Sequence, residues 1–113
     1  MNIQEFRKRI DEVDDQLVRL LSVRAQLAIE IGRTKTEAGV ELYDPAREDE
    51  IARRVLEANP GVLDTEAITR LFREIVSESR RAAAQAANLR APRIAAREIA
   101  PSDAAGTGSG ENQ

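Results

Sequence analysis

The chain has 113 residues, of which 42% are hydrophobic and 33% charged, a composition typical of one small globular domain. It contains no cysteine and no histidine, which excludes disulfides, thiolate metal sites, cysteine nucleophiles and the usual general base near neutral pH. The net charge of -3 gives no general attraction to nucleic acid or to an anionic membrane.

The amino terminus, MNIQEFRKRI, lacks the apolar run of a signal peptide, and no later stretch is apolar enough to cross a bilayer. We therefore expect a cytoplasmic protein with no nucleic-acid and no membrane partner.

The first third of the chain has apolar residues in alternating steps of four and three, a heptad pattern typical of a helix that packs along one seam. No glycine or proline interrupts this pattern before Gly32, and Gly39 is the expected stop. The pattern predicts a first helix from about Ile3 to Ala38. The seam consists of Phe6, Ile10, Val13, Leu17, Leu20, Arg24, Leu27 and Ile31.

This predicted helix is too long for one small domain. It would span roughly 50 Å at about 1.5 Å per residue, whereas a compact domain of this size has a radius of gyration of only about 13 Å. One chain cannot cover the whole seam, so a second copy is expected to cover it. The length of the first helix therefore predicts a homodimer.

A second, short helix follows a connector over residues 39–43. Asp44 and Pro45 are typical of a helix cap and of the first helical residue. They predict a helix from Pro45 to about Glu57, before the breaker Asn59-Pro60-Gly61. Its inward residues are expected to be Ile51, Ala52 and Val55.

A third helix of medium length is predicted to begin after the cap Asp64 and to reach about Leu89. We expect an all-α domain over residues 1–90, followed by a disordered tail over 91–113 that is rich in Ala, Gly, Ser and Pro. The inward face of the third helix is expected to contain Ile68, Leu71, Phe72, Ile75, Val76 and Ser79.

Four polar side chains occupy positions where the helical period requires apolar ones. Arg24 lies on the seam, and Lys35, eleven residues later, points within about 20° of the same direction. Glu48 precedes the inward residues of the second helix by three, four and seven positions, and Ser79 lies on the inward face of the third. A buried charge without a partner is costly, so these side chains need partners or a polar ligand.

Each polar residue also has an ordinary explanation. Arg24 would serve as a register-fixing residue, Lys35 as a cation at a helix end, and Arg7 as part of a solvated face. Asp44 is already explained as a cap, and Arg47 as a flanking surface residue. In the same way, Glu48 would complement a helix dipole, and Ser79 would be a small filler. The joint placement of cations and a carboxylate around one core favours a site for an anionic ligand.

Arg7 and Arg24 lie seventeen residues apart, roughly 25 Å along one helix, so no small ligand contacts both in the same chain. In an antiparallel dimer, the early part of one long helix passes the later part of its partner. Arg7 of one subunit would then join Arg24 and Lys35 of the other. Such a pocket suits a compact ligand with two carboxylates, because the guanidinium fork matches carboxylate geometry.

Taken together in sequence order, these residues and the stretches around them resemble the all-helical AroQ class of chorismate mutases over about residues 4–85. The stretches that carry the resemblance are FRKRIDEVD, LLSVRAQLAIEIGRTK, YDPAREDEI and ITRLFREIVSESR. The family fold, three helices per chain intertwined as a homodimer with two shared sites, agrees with the dimer expected from helix length. The residues that match are Arg7, Arg24, Lys35, Asp44, Arg47, Glu48 and Ser79.

The resemblance implies the Claisen rearrangement of chorismate to prephenate, on the route to phenylalanine and tyrosine, with no metal, no cofactor and no covalent intermediate. Such a step has no obligatory proton transfer, so the lack of histidine and cysteine is no handicap. The protein supplies a restricted substrate conformation and fixed charges that complement the transition state.

By the same resemblance, Arg24, Lys35 and Glu48 are the expected catalytic residues. Arg24 and the second subunit's copy of Arg7 hold the substrate carboxylates, and Lys35 contacts a carboxylate and the ether oxygen, where negative charge develops. Glu48, with the backbone around Asp44, receives the ring hydroxyl. The remaining expected pocket residues are Arg47 and Ser79, the latter near a carboxylate.

The sequence departs from the family at Ala83, the pocket position one turn after Ser79, where the family often has Gln, or Glu in its protonated form, that donates to the ether oxygen. Gln85 lies roughly 200° further around the helix and cannot replace that donor. Losing one such donor typically costs about 2.7–4 kcal/mol of barrier stabilisation. We expect either a weak mutase or a site that another group, or a partner enzyme of the shikimate pathway, completes.

Two alternative functions remain open at this point. An isochorismate–pyruvate lyase would use a similar cationic pocket, although YDPARE and Glu48 favour the mutase. A non-catalytic helical module, for dimerisation or chorismate sensing, would explain the seam but not the inward Arg24, Lys35 and Glu48 together.

Overall fold

Residues 1–90, the part of the chain that the computed structural model describes, form three helices and no strand. These are α1 (Ile3–Ala38), α2 (Pro45–Ala58) and α3 (Thr65–Arg90). The predicted all-α class, with one long, one short and one medium helix, is confirmed. The tail predicted over 91–113 lies outside the described residues, so the boundary at residue 90 stays a prediction.

Helix α1 is closed at both ends by local interactions. The Asn2 side chain accepts from the backbone N–H of Glu5 at 2.8 Å, and the Glu5 carboxylate accepts from the backbone N–H of Asn2 at 2.8 Å. At the other end Gly39 adopts a left-handed φ of 72°, which glycine tolerates without strain. The predicted stop at Gly39 is confirmed, whereas the sequence analysis did not identify Asn2 as a cap.

Helices α2 and α3 begin at the two predicted aspartate caps. The Asp44 carboxylate accepts from the backbone N–H of Arg47 at 3.2 Å, and the Asp64 carboxylate accepts from that of Ala67 at 2.8 Å. Because Pro45 is the first residue of α2, its missing N–H leaves no donor unpaired. These caps fix where the residues after Asp44 lie relative to the rest of the fold.

Helix α3 lies between the other two helices and packs against both. Its approach to α1 is close at Gly32, where an added Cβ would lie 3.3 Å from the Cβ of Ala83. Gly32, Ser79 and Ala83 are the only buried residues among residues 1–89. This thin core surrounds the place where α1 and α3 meet.

The inward faces predicted for α2 and α3 are only partly covered in the single chain. Ile51, Val55 and Phe72 are half-buried, whereas Ala52 and Leu71 remain exposed. The helical period predicts on which face of the helix these side chains lie. A face is buried, however, only where another helix packs against it.

The seam of α1 is uncovered along its whole length. Each of its seven apolar residues exposes more than half of its surface, from 51% at Leu17 to 65% at Leu20. The described part of the chain is 57 Å long, and its radius of gyration of 17.5 Å exceeds the about 13 Å of a compact domain of this size. A contiguous apolar stripe of this length is typical of a surface that another protein chain covers.

None of the helices within residues 1–90 combines the length and the apolar character that crossing a membrane requires.

Candidate active site

A cavity of about 310 Å³, here called the central cavity, lies where the three helices meet. Its walls come from the second half of α1, the connector, the first turns of α2 and the middle of α3. Side chains far apart in the sequence therefore face one space. The cavity brings together seven of the eight predicted site residues, namely Arg24, Lys35, Asp44, Arg47, Glu48, Ser79 and Ala83.

Arg24 and Ser79 join α1 to α3 inside this cavity. The Arg24 guanidinium donates to the Ser79 hydroxyl across 2.8 Å, and Ser79 is only 6% exposed. Burial, and after it the positive charge of Arg47, lowers the pKa of the Arg24 guanidinium. Arginine nevertheless remains protonated in proteins, so Arg24 is a half-buried cation whose surroundings favour the arrival of an anion.

Lys35 lies one helical turn beyond Gly32 and faces the same cavity. Its ammonium group donates to the backbone carbonyl of Leu42 at 3.4 Å, which ties the end of α1 to the connector. The absence of a side chain at Gly32 lets α3 come close to this part of α1. Because the contact with Leu42 is long, and a carbonyl carries no full charge, the ammonium keeps capacity for a stronger acceptor.

The first turn of α2 contributes Asp44, Arg47 and Glu48. The guanidinium of Arg47 donates to Glu50 at 2.8 Å, and this ion pair is about half exposed on both sides. Such an exposed pair is worth little free energy, so Arg47 is available to another anion. Glu48 faces inward as predicted, with a side chain that is 29% exposed.

Glu48 has an ionic partner that sequence analysis missed. Its carboxylate lies 3.3 Å from the guanidinium of Arg80, which also lies over the ring of Tyr43 at 5.2 Å from the ring centre. The sequence contains one hint of this contact, because Arg80 and Tyr43 are each adjacent to a predicted site residue. These positions do not show how α2 and α3 cross, so they could not predict that Arg80 pairs with Glu48.

The charges around the cavity do not cancel. Four cationic side chains and two carboxylates line it, an excess of two positive charges in a chain of net charge -3, although Glu50 pairs with one of these cations, Arg47, from outside the cavity. Such a local excess of cations attracts a dianion even on an acidic protein. No three carboxylate, imidazole or thiolate groups within residues 1–90 cluster as a metal site requires.

Arg7 is the predicted site residue that the single chain does not bring into the cavity. It lies in the second turn of α1, is exposed, and is seventeen residues before Arg24, or roughly 25 Å along the helix axis. The sequence assigned it to the neighbouring subunit's site, and that assignment stays a prediction.

The structure turns two predicted site residues of α3, Ser79 and Ala83, toward the central cavity. Ser79 and Ala83, one turn apart, both line the cavity and are each 6% exposed, whereas Gln85 is exposed. A helix register displaced by one residue would turn these side chains by about 100°. Alanine therefore occupies the cavity position at which a hydrogen-bond donor was expected from the resemblance.

A second groove, of about 380 Å³, lies between α2 and α3 and is here called the outer groove. It shares a wall with the central cavity, and Glu48 and Arg80 line both spaces. The other predicted site residues do not line the outer groove. We therefore identify the central cavity as the candidate active site.

The chain is similar in sequence to a known protein family and to several known proteins. A family model described as "Chorismate mutase type II" matches residues 6–84. The chain is similar to a bifunctional chorismate mutase/prephenate dehydratase from Aquifex aeolicus, with 40% identity over 79 residues that cover 66% of this chain and 22% of the relative. It is also similar to a chorismate mutase from Methanocaldococcus jannaschii, with 36% identity over 47% of this chain and 54% of that protein.

A solved structure of chorismate mutase from Thermus thermophilus has a similar fold. It superposes with a TM-score of 0.67 and 45% sequence identity, over 68% of this chain and 96% of that chain. In contrast, the chain spans only about a fifth of the length of the bifunctional relatives.

Proposed function

The chain belongs to the type II chorismate mutase family, and from this premise we propose that it rearranges chorismate to prephenate in the central cavity. The observation that carries the proposal is the convergence of Arg24 and Lys35 from α1 and Glu48 from α2 on one cavity whose lining side chains carry more positive than negative charge. Chorismate is a compact dianion with a ring hydroxyl, which is the ligand chemistry that these side chains complement.

The rearrangement breaks one C–O bond and forms one C–C bond within the substrate. It needs no proton transfer, so the protein contributes through conformation and electrostatics. A bound substrate in a folded geometry brings the two reacting carbons together, which lowers the entropic part of the barrier. Fixed cations beside the ether oxygen stabilise the negative charge that develops there as the C–O bond breaks.

The cations are proposed to divide the two substrate carboxylates between them. Arg24, oriented by its hydrogen bond to Ser79, offers two parallel N–H donors to one carboxylate. Arg47 exchanges its exposed ion pair with Glu50 for a substrate oxygen. Lys35 exchanges its long contact with the Leu42 carbonyl for a carboxylate and for the ether oxygen.

The ring hydroxyl is proposed to donate to Glu48, with help from the backbone around Asp44. Glu48 is the inward carboxylate at the start of α2, and the cap formed by Asp44 fixes the position of that turn. This contact orients the ring while the cations hold the carboxylates, so the substrate is held at both ends.

We also propose that two copies of the chain assemble through the seam into a homodimer with two shared sites. The seam supports this because its apolar residues are exposed along the whole of α1, and because a second long helix matches its length. In an antiparallel pairing Arg7 of each copy reaches the other copy's cavity and adds a further cation. The cytoplasmic location expected from the sequence is part of the same proposal.

The proposal is tested by adding chorismate to the purified protein and identifying the product. Conversion to prephenate is the expected result, and isochorismate is run alongside as a second substrate. Release of pyruvate from isochorismate with chorismate untouched would support the lyase instead, and inertness toward both would favour a non-catalytic module.

Replacing Ala83 with glutamine is expected to raise kcat/KM at least tenfold. The buried Cβ of Ala83 lies at the cavity wall, so a longer side chain can extend into the cavity and donate to the ether oxygen. One such donor is typically worth about 10²–10³ in kcat, of which imperfect placement loses part. Steady-state kinetics of the purified variant measure the change.

The control is Ala83→Met, which has nearly the same size but no N–H donor. It should not accelerate turnover, since packing alone adds no charge stabilisation. Equal specific activity of the wild type and the glutamine variant would indicate that another group already serves the ether oxygen, whether from this protein or from a partner enzyme.

A further inference from the structure

Arg80 is a cation of the central cavity to which the proposed mechanism assigns no part. Its guanidinium lies 3.3 Å from the carboxylate of Glu48 and 5.2 Å from the ring centre of Tyr43. These three residues come from α3, α2 and the connector respectively. Their contacts connect the three segments at the carboxylate of Glu48.

The contact between Glu48 and Arg80 differs from the other ion pairs within residues 1–90. It joins two different helices, whereas the pairs of Arg33, Arg47 and Arg81 each join residues three apart on one helix. Its side chains are 29% and 39% exposed, whereas each of these other pairs has at least one side chain that is 52% exposed or more. Less solvent weakens the screening, so the guanidinium of Arg80 restrains the carboxylate of Glu48 more than a surface pair would.

The contact also uses one oxygen of the carboxylate in particular. Arg80 engages Oε2 of Glu48 from the wall that separates the central cavity from the outer groove. The ring of Tyr43 limits the positions of the guanidinium, because a cation is attracted to the face of the ring. An ion pair made through Oε2 leaves Oε1 available to a donor.

From this geometry we propose that Arg80 is a positioning residue, which holds the Glu48 carboxylate in the orientation that receives the substrate hydroxyl. The inference rests on the proposed function, because it assigns a reason for the orientation of a residue of that same site. An unrestrained glutamate rotates about three side-chain torsions and loses that freedom when substrate binds. Arg80 and Tyr43 remove this freedom before the substrate arrives, which is preorganisation.

The test compares Arg80→Ala with Arg81→Ala in steady-state kinetics with chorismate. Arg81 is the adjacent arginine, but its pair with Glu78 lies on the exposed surface of α3. We expect Arg80→Ala to lower kcat about tenfold through the misplaced carboxylate. KM should change by less than about twofold, because Arg24 and Lys35 still hold the carboxylates. Arg81→Ala should match the wild type.

A double-mutant cycle separates positioning from direct contact and from loss of folding. In a Glu48→Ala background, Arg80 has no carboxylate to orient, so adding Arg80→Ala should cost less than about twofold. Arg80→Lys, which keeps a cation beside the carboxylate, should recover part of the kcat that Arg80→Ala loses. Circular dichroism and thermal melting of every variant report on folding.

The outcomes distinguish this inference from the function on which it rests. A wild-type protein with no turnover of chorismate would overturn both. An active wild type whose Arg80→Ala variant behaves like Arg81→Ala would overturn the positioning role alone. A further large loss in the Glu48→Ala background would do the same, since Arg80 would then act on the substrate itself.

Discussion

Replacing Arg24 with alanine is expected to lower kcat/KM for chorismate by at least about 10²-fold while the protein stays dimeric and helical. Arg24 is a half-buried cation of the central cavity, and its hydrogen bond to Ser79 preorganises its donors. Burial and the charge of Arg47 lower the pKa of Arg24, so the free protein holds this cation at a cost. Removing it relieves that cost but leaves a substrate carboxylate without its partner.

Arg24→Lys is the matched variant, since it keeps the positive charge and loses the planar fork. It should retain more activity than Arg24→Ala but less than the wild type. Steady-state kinetics measure the activities, and analytical ultracentrifugation measures the dimer. Full activity of Arg24→Ala would contradict the catalytic role of Arg24 and favour a purely structural role for it in the seam.

Replacing Leu17 with glutamate is expected to disrupt the dimer and with it the activity. Leu17 lies in the middle of the seam, where 51% of its surface is exposed in the single chain. A twofold axis would bring a carboxylate from each copy into an apolar interface, and burying an unpaired carboxylate is costly. We expect a monomer in analytical ultracentrifugation, reduced helix content in circular dichroism, and loss of turnover at micromolar protein concentration.

Ser22→Glu is the control, because it introduces the same side chain on the same helix. Ser22 is exposed and lies about 140° around α1 from Leu17, away from the seam. It should leave assembly and activity unchanged. If Leu17→Glu remained a fully active dimer, the seam would not be the interface.

The elements of the fold were predictable from local signals. Asp44 and Asp64 are caps because their short carboxylates reach the first free N–H groups, and Gly39 ends α1 because it tolerates a left-handed backbone. These causes lie within a few residues of the chain. For that reason, the helix ends agree with the sequence within about one residue.

The contacts between elements were less predictable. The helical period indicates that Glu48 and Ser79 face inward, but not that Glu48 meets Arg80 or that Arg24 donates to Ser79. Such pairs depend on the crossing of α1, α2 and α3, which a single sequence does not contain. The position of Arg7 depends on a second copy of the chain, so helix length predicts it only indirectly.

Mixing two inactive variants tests most directly whether each site is built from two chains. Arg7→Ala and Arg24→Ala subunits, carried on two different tags, are coexpressed and the mixed dimer is purified. In an antiparallel dimer the mixed species regains one intact site of two, so it should have about half of the wild-type activity per dimer. An Arg7→Ala homodimer with wild-type activity, or a mixed dimer as inactive as either parent, would contradict a site that two chains share.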